Sequence, residues 1–456
     1  MYRVINPASN ELEREFPTAT DDDVESALAR SRAAFTTWRR TGTDERARLL
    51  TQVADIYERR ADELGSIVTR EMGKRTAEAR GEIRIVAAIY RYYANEGPTL
   101  LNDTPLQPAA GGRAVVRKEP IGSLLGIMPW NYPHYQVARF TAPNLMAGNT
   151  IILKHAPQCP ESAAAIEQIF ADAGCPAGAY INVYATNDQV ADMIADPRIA
   201  GVSLTGSERA GAAVAEIAGR NLKKVILELG GSDPFIVLDT MDLGRAVQTA
   251  LAGRMTNAGQ ACNAAKRIMV ADGLYDEFVE RFTAAMAALR PGDPSDSSTD
   301  LGPLSSEAAA QGLMAQIDDA VSKGATVRTG GRRVNRPGAY VEPTVLTDVT
   351  PDMRAFHEEL FGPAAVIYRV HDAEAAITLA NESAFGLGGV VCTDDADLAE
   401  QVASQLDTGM VWINTVQRSA PDLPFGGTKR SGIGRELGPH GIDEFVNKKL
   451  IYAPQG

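Results

Sequence analysis

At 456 residues the chain is too long for one ordinary core and predicts two or three domains. Its composition is globular, 45% hydrophobic and 23% charged, and a net charge of −13 without a long Lys/Arg cluster excludes a nucleic-acid footprint and gives no hint of a membrane-surface partner. No apolar run approaches the roughly 18 residues that cross a bilayer, and the opening MYRVINPASNELER lacks the basic-then-apolar pattern of a secretory signal.

The N-terminal third reads as helices. Thr20 or Asp21 can cap a segment running to Arg40, with Val24, Leu28 and Phe35 among its apolar residues. Two more helical segments are expected over 45–64 and 76–94, ended by Pro98, Pro105 and Pro108 and then Gly111 and Gly112. RAVVRKEP reads as a strand that leaves the body of the domain. From Leu124 the period changes. LLGIM, a helix to about Met146, TIILK, a helix over 162–173, YINVY, GVSLT and KKVILE alternate as in a parallel sheet covered by helices, the α/β architecture that hosts nucleotide cofactors. A second α/β series starts at PFIVL (234–238) and runs to about Trp412. The residues from Asn447 read as a strand-like tail, and there is no internal repeat.

Four cysteines, Cys159, Cys175, Cys262 and Cys392, lie far apart without CxxC spacing, so neither a zinc site nor a disulfide framework is indicated and a reduced, cytoplasmic compartment is expected. No metal-ligand cluster is seen. Cys159, Cys175 and Cys392 read as small buried hydrophobes. Cys262 differs, because NAGQACNAAKR sets it among small residues that leave room for a substrate. ELGGSDPF places Glu228 at the end of an apolar strand-like run, where a carboxylate is costly unless paired or protonated. A thiol nucleophile and a carboxylate base are the parts of covalent catalysis on a carbonyl. The dinucleotide fingerprint G-x-G-x-x-G is missing after every expected strand, and SGIGRELG has no strand before it. SLTGSERAG offers instead a strand end, Gly206-Ser207 and a helix start that a pyrophosphate could approach; alone, it is equally a simple turn.

IMPWNYP, ILKHAP, SLTGS, ELGG, GQAC, EELFGP and PFGGTKRSG occur in that order, and with INPA near Asn6 they resemble the aldehyde dehydrogenase superfamily over nearly the whole chain. The resemblance implies a Rossmann-like cofactor domain (1–103, 120–230 and 431–446), an α/β catalytic domain (231–430) and a small β extension for oligomerisation (104–119 and 447–456), in a homodimer or homotetramer. It implies Cys262 as nucleophile, Asn131 with the Cys262 backbone N–H as oxyanion donors, and Glu228 as the base that activates water against a thioester. Hydride would leave the tetrahedral adduct for a nicotinamide. An unperturbed thiol near pKa ~8.5 is mostly protonated at neutral pH, so the site must help to ionise it.

By position, Trp130, Lys154, Gly206, Ser207, Glu359 and Phe361 would line the cofactor site, with Lys154 and Glu359 on the two riboses. On the residues alone, Glu359 is equally a surface carboxylate, Phe361 a core aromatic and Asn131 a turn residue. Pro157 stands where NAD-preferring relatives place a glutamate. Without that carboxylate a 2′-phosphate is not repelled, so NADP is favoured slightly over NAD. The wording LKHAP, ELGGSDPFIV and AAKR is most similar to the succinate-semialdehyde dehydrogenase branch. Arg139, roughly two helical turns beyond Asn131 and on the same face of an expected helix, matches that branch's carboxylate-binding arginine; the plainer alternative is a solvent-exposed helical arginine. Thr256 replaces a second arginine of some relatives, and Arg418 could compensate. Ala264 replaces a second cysteine, so no local disulfide switch is expected. Phe425 and Tyr135 are expected tunnel walls, or equally core aromatics. The same chemistry on another short aliphatic or ω-carboxylate aldehyde is the alternative.

Overall fold

A computed structural model describes residues 1–240 and 242–454. Gln455 and Gly456, which the expected oligomerisation extension includes, lie outside the described residues.

Two sheets carry the structure. The first has six strands in the order Gly432–Ile433, Lys224–Glu228, Ile199–Thr205, Ser123–Met128, Thr150–His155 and Tyr180–Asn182. All pairings are parallel except that of Gly432–Ile433, which runs antiparallel to Lys224–Glu228. The chain enters at Ser123–Met128, builds to one side, then crosses over and adds Ile199–Thr205 on the other. The carboxyl ends of these two neighbours mark a topological switch point, where open α/β sheets leave a crevice for ligands. The second sheet has seven strands, ordered Thr326–Thr329, Thr344–Thr347, Ala364–Val370, Ala265–Ala271, Asp233–Asp239, Val390–Thr393 and Trp412–Ile413. Glu228 ends a strand of the first sheet and Asp233 begins a strand of the second. The short link between them, Leu229-Gly230-Gly231-Ser232, therefore joins the two at one place.

A third sheet pairs Val446–Ala453 and Thr104–Leu106 with the two sides of Arg113–Pro120, all antiparallel. No helix is long and apolar enough among the described residues to cross a membrane.

The first helix, Asp21–Trp38, starts where the sequence predicts, with a reciprocal capping box between Thr20 and Asp23. Three expectations for the first hundred residues need correction. The N-terminal third is not purely helical: Tyr2–Asn6 and Glu11–Phe16 form an antiparallel hairpin. Its second strand, ELEREF, is charged and largely exposed and so lacks the apolar alternation that marks a strand. The segment over 45–64 is two helices, Thr43–Arg59 and Ala61–Met72, because the chain turns at Arg60 (φ −101°, ψ 16°). Pro98 does not end its helix, which runs from Thr76 to Leu100; near a helix end a proline removes a single backbone bond.

The helix Tyr135–Ala147 is buried at every position, including Arg139. Such a helix has no solvent face, which rules out the exposed reading of Arg139. Asn131 precedes this helix rather than sharing a face of it, because the PWNYP turn runs on until His134.

Candidate active site

Cys262 stands between two cavities. The larger, about 390 Å³, is lined by Lys74, Tyr135, Arg139, Thr256, Cys262, Arg418 and Phe425 among others. The smaller, about 280 Å³, is lined by Trp130, Asn131, Gly206, Ser207, Glu359, Phe361 and Cys262 among others. A side chain shared by two cavities suits a nucleophile that meets a substrate from one side and a dinucleotide from the other.

The loop before Cys262 is held in an unusual shape. Asn257, Ala258 and Gly259 have φ of 54°, 55° and 75° in succession, a left-handed run that is unfavourable for residues other than glycine. Asn257 secures it: its Nδ2 donates to the carbonyls of Asn131 (2.9 Å) and Gln260 (3.2 Å), and its backbone N–H donates to Glu78 (3.0 Å). At Gly259 a Cβ would lie 2.3 Å from the Gly362 carbonyl, so only glycine allows the close approach. Arg254 bridges the same two segments. Its buried guanidinium donates to the carbonyls of Gly259, Leu360, Gly362 and Ala364, although burial lowers its pKa to about 9.

Asn131 is 5% exposed and its Nδ2 donates to the Gln260 carbonyl at 3.1 Å. The amide carries a second hydrogen. Burial pushes the Cys262 thiol up to about 12, with Arg139 and Lys266 pulling it down and Glu359 and Glu228 pushing it further up. Glu228 is 2% exposed with no hydrogen-bond partner for either carboxylate oxygen. Burial raises its pKa well above the usual range; Arg139 opposes this and Glu436 adds to it. Burial therefore favours its protonated form.

The ELGG link explains its own glycines. A Cβ on Gly230 would sit 2.5 Å from Glu359 Oε2, and one on Gly231 2.4 Å from the Cys262 carbonyl. The Gly231 N–H donates to Glu359 Oε1 at 3.2 Å. Ser431, from the PFGGTKRSG segment, braces the link by accepting from the Leu229 N–H through its carbonyl and donating from Oγ to the Gly230 carbonyl.

Five of the expected cofactor residues, Trp130, Gly206, Ser207, Glu359 and Phe361, line the smaller cavity. Trp130 and Phe361 meet edge-on, 5.6 Å between ring centroids. Ser207 caps the helix Glu208–Arg220 at the end of the strand Ile199–Thr205, so free N–H groups open at the switch point. Lys154 and Pro157 stand outside that lining. Lys154 is 7% exposed and, among the described residues, has no counter-ion; its Nζ is 6.0 Å from the Tyr2 ring, and burial lowers its pKa. The Pro157 carbonyl accepts from the Arg3 N–H at 2.9 Å, so the unforeseen hairpin packs beside both residues.

On the larger side, Arg139, Arg418, Phe425 and Tyr135 all line the cavity. Arg139 Nε lies 2.7 Å from Glu436 Oε2, an ion pair without hydrogen-bond alignment that leaves Nη1 and Nη2 without an aligned partner. The guanidinium also lies 4.3 Å from the Phe425 ring and 5.0 Å from Tyr135. Burial opposes its charge, but Glu436, Tyr135, Glu228 and Cys262 together outweigh that and hold it protonated.

Two residues escaped the sequence reading. Glu436 lies in SGIGRELG, which as a phosphate loop made no sense; its strand Gly432–Ile433 pairs with Leu227–Glu228 and delivers Glu436 to Arg139. An arginine in an otherwise apolar helix is itself a signal that a buried carboxylate must exist elsewhere. The second is Lys266, whose Nζ donates to the carbonyls of Ala261 (2.9 Å) and Cys262 (2.7 Å) and pairs with Glu359 Oε1 (2.9 Å).

A sequence model described as the aldehyde dehydrogenase family matches residues 1–451. The chain belongs to the aldehyde dehydrogenase family. A curated relative from Deinococcus radiodurans, named succinate-semialdehyde dehydrogenase [NADP(+)], is 55% identical over 452 residues, 99% of this chain and 94% of that protein. A Mycobacterium bovis aldehyde dehydrogenase named succinate-semialdehyde dehydrogenase [NADP(+)] 1 is 44% identical over 98% of both chains. Among solved structures, succinic semialdehyde dehydrogenase from Streptococcus pyogenes in complex with NADP+ is 42% identical and superposes with a TM-score of 0.98, covering 100% of each chain. The aldehyde dehydrogenase fold of this chain is thus established along with its family.

Proposed function

We propose that this aldehyde dehydrogenase oxidises succinate semialdehyde to succinate with NADP, and less readily with NAD. The observation that carries the substrate is Arg139: a charged guanidinium in the wall of the cavity that opens on Cys262, whose Nη1 and Nη2 make no aligned hydrogen bond among the described residues. Arg418 at the same cavity supports it with a second cation. The names of the D. radiodurans and M. bovis relatives support the same substrate.

The smaller cavity fits a dinucleotide. Trp130, Phe361, Glu359 and the helix opening at Ser207 would hold it, and Lys154, buried without a counter-ion among the described residues, would meet its ribose. Pro157 offers no carboxylate to repel a 2′-phosphate, which supports NADP, as does the cofactor of the S. pyogenes structure. When bound, the nicotinamide supplies the hydride acceptor. The chain's own residues do the rest. Cys262 Sγ, its proton given up to solvent, adds as the thiolate to the aldehyde carbon, and the resulting oxyanion is met by the Asn131 amide and the Cys262 N–H. Loss of hydride from that adduct leaves a thioester on Cys262. Glu228, once ionised, takes a proton from water as it attacks the thioester, and collapse releases succinate and the thiol.

In this reading the first sheet and its helices (1–103, 120–230, 431–446) form the cofactor-binding part and 231–430 the catalytic part. The extension 104–119 and 447–456, whose described strands form the third sheet, serves oligomerisation into a homodimer or homotetramer, supported by the exposed Leu106, Leu450, Ile451 and Tyr452. Four free cysteines support a reducing cytoplasm.

Initial rates with succinate semialdehyde and with butanal, each with NADP and NAD, test the proposal. A large preference for the charged aldehyde with NADP is expected. Equal or better turnover of butanal would overturn the substrate and leave the Cys262 chemistry standing.

A further inference from the structure

Lys266 is the second residue of the strand Ala265–Ala271, and its side chain is 1% exposed. An ammonium has three donors. Two go to the carbonyls of Ala261 and Cys262, the nucleophile's own loop, and the ammonium forms an ion pair with Glu359 Oε1 at 2.9 Å. Its Nζ also stands 5.9 Å from the centre of the Phe361 ring. One buried lysine thus touches the nucleophile loop and two groups that line the smaller cavity. The two carbonyls are fixed by the backbone, whereas Glu359 is a side chain that can be drawn away.

The electrostatic consequence depends on what faces Cys262. Arg139 and Tyr135 face it from the helix Tyr135–Ala147, Tyr132 from the turn before that helix, Glu228 from its strand end, and Lys266 and Glu359 from the opposite side. Arg139 is matched by Glu436, and Lys266 is matched by Glu359 at 2.9 Å. At the thiol Arg139 and Lys266 pull the pKa down, Glu359 and Glu228 oppose them, and burial prevails. The other carboxylate near Lys266 is Asp233, which burial raises to about 7, so near neutral pH it replaces Glu359 only in part.

We propose that Lys266 is a positioning residue that couples occupancy of the dinucleotide cavity to the reactivity of Cys262: engagement of Glu359 by a bound dinucleotide leaves the lysine charge facing the nucleophile loop. This rests on the reading that Glu359 belongs to the dinucleotide site. Removing an anion beside a cation favours the thiolate, so the nucleophile becomes reactive when its hydride acceptor is in place.

The test follows alkylation of Cys262 by iodoacetamide as a function of pH, read by mass spectrometry of the Cys262 peptide to exclude Cys159, Cys175 and Cys392, with and without NADP. In the unsubstituted protein, NADP is expected to lower the midpoint by about one pH unit, a tenfold gain in thiolate fraction below it. Lys266→Met should abolish that shift, and Lys266→Arg should retain it. Glu359→Gln should lower the midpoint with no NADP present, which keeps the test open if Lys266→Met folds poorly. An undiminished NADP-induced shift in a folded Lys266→Met, or an unchanged NADP-free midpoint in Glu359→Gln, would overturn the coupling. NADP affinity in the same samples separates the two ideas: an unaltered dissociation constant in Glu359→Gln would sink the placement of Glu359 while the NADP-free midpoint still judges Lys266.

Discussion

Arg139 and Glu436 face each other at 2.7 Å with 0% and 6% of their side chains exposed, in the wall of the cavity that opens on Cys262. The pair has two consequences, one for stability and one for specificity. Arg139→Met strands a buried carboxylate and should cost about 3–5 kcal/mol, read from a urea melt. Arg139→Met combined with Glu436→Gln should recover most of that loss. The double variant should still lose about 100-fold in kcat/KM for succinate semialdehyde, in the range of ~2–5 kcal/mol for removing one partner of a buried charge pair, while butanal changes little. Equal losses on both aldehydes in the double variant would mean that Arg139 serves the fold alone.

Glu228→Gln should separate the two halves of the reaction. Hydride transfer needs Cys262 and its oxyanion donors but not Glu228, so stopped-flow mixing should show a burst of reduced nicotinamide near one per site. Steady turnover should then fall by about 10²–10⁴-fold, the usual contribution of a positioned base. Because burial raises the Glu228 pKa, the unsubstituted enzyme should gain turnover as pH climbs towards and past neutrality, and the Gln variant should lose that dependence. Absence of a burst would place the defect before the thioester.

Pro157→Glu should move cofactor choice towards NAD. A carboxylate there would repel the 2′-phosphate, and two unit charges ~4 Å apart at an effective dielectric of ~20 interact by about 4 kcal/mol. Solvent and rearrangement reduce this, so a change of about tenfold or more in the NADP/NAD ratio of kcat/KM is expected. An unaltered ratio would show that Pro157 lies out of reach of the adenosine ribose.

Acid should unfold the protein through its buried histidines. Burial lowers His155 to about 4, and its ring is held neutral, accepting from the Ala156 N–H and reaching the Pro133 carbonyl at 2.8 Å. His134, likewise buried, is lowered to about 3. A histidine depressed in the folded state binds more protons when unfolded, so its contribution is full above about 6.5 and is lost as pH falls towards 4. Each contributes a slope of up to about 1.4 kcal/mol per pH unit in that window. His155→Gln should flatten the fall of Tm between pH 6.5 and 4.5 relative to the unsubstituted protein. A parallel fall in both would assign the acid lability elsewhere.

The sequence exposed the strands of the parallel sheets because buried strands read as short apolar runs, and it located the start of the first helix through Thr20 or Asp21. Of the two caps the sequence offered, Thr20 and Asp21, the structure uses Thr20, with Asp23 as its unforeseen partner. The sequence also singled out Cys262, Asn131 and Glu228, which the fold gathers at the junction of the two sheets. What stayed hidden was pairing over long separation. Nothing near Arg139 announces Glu436, and nothing near Cys262 announces that Lys266 will turn back to its carbonyl and reach Glu359. The N-terminal hairpin was hidden for another reason: its outer strand faces water and carries charge where strands usually show β-branched residues.

The antiparallel strand Gly432–Ile433, which lies against Glu228 and brings Glu436 under Arg139, reaches the site from far down the chain. A ribosome must therefore make the chain as far as Glu436, about 300 residues beyond Arg139, before the guanidinium can meet its carboxylate. Until then the first sheet lacks its edge strand and its central helix carries an unanswered charge, so the part made first waits on the part made much later for its completed site.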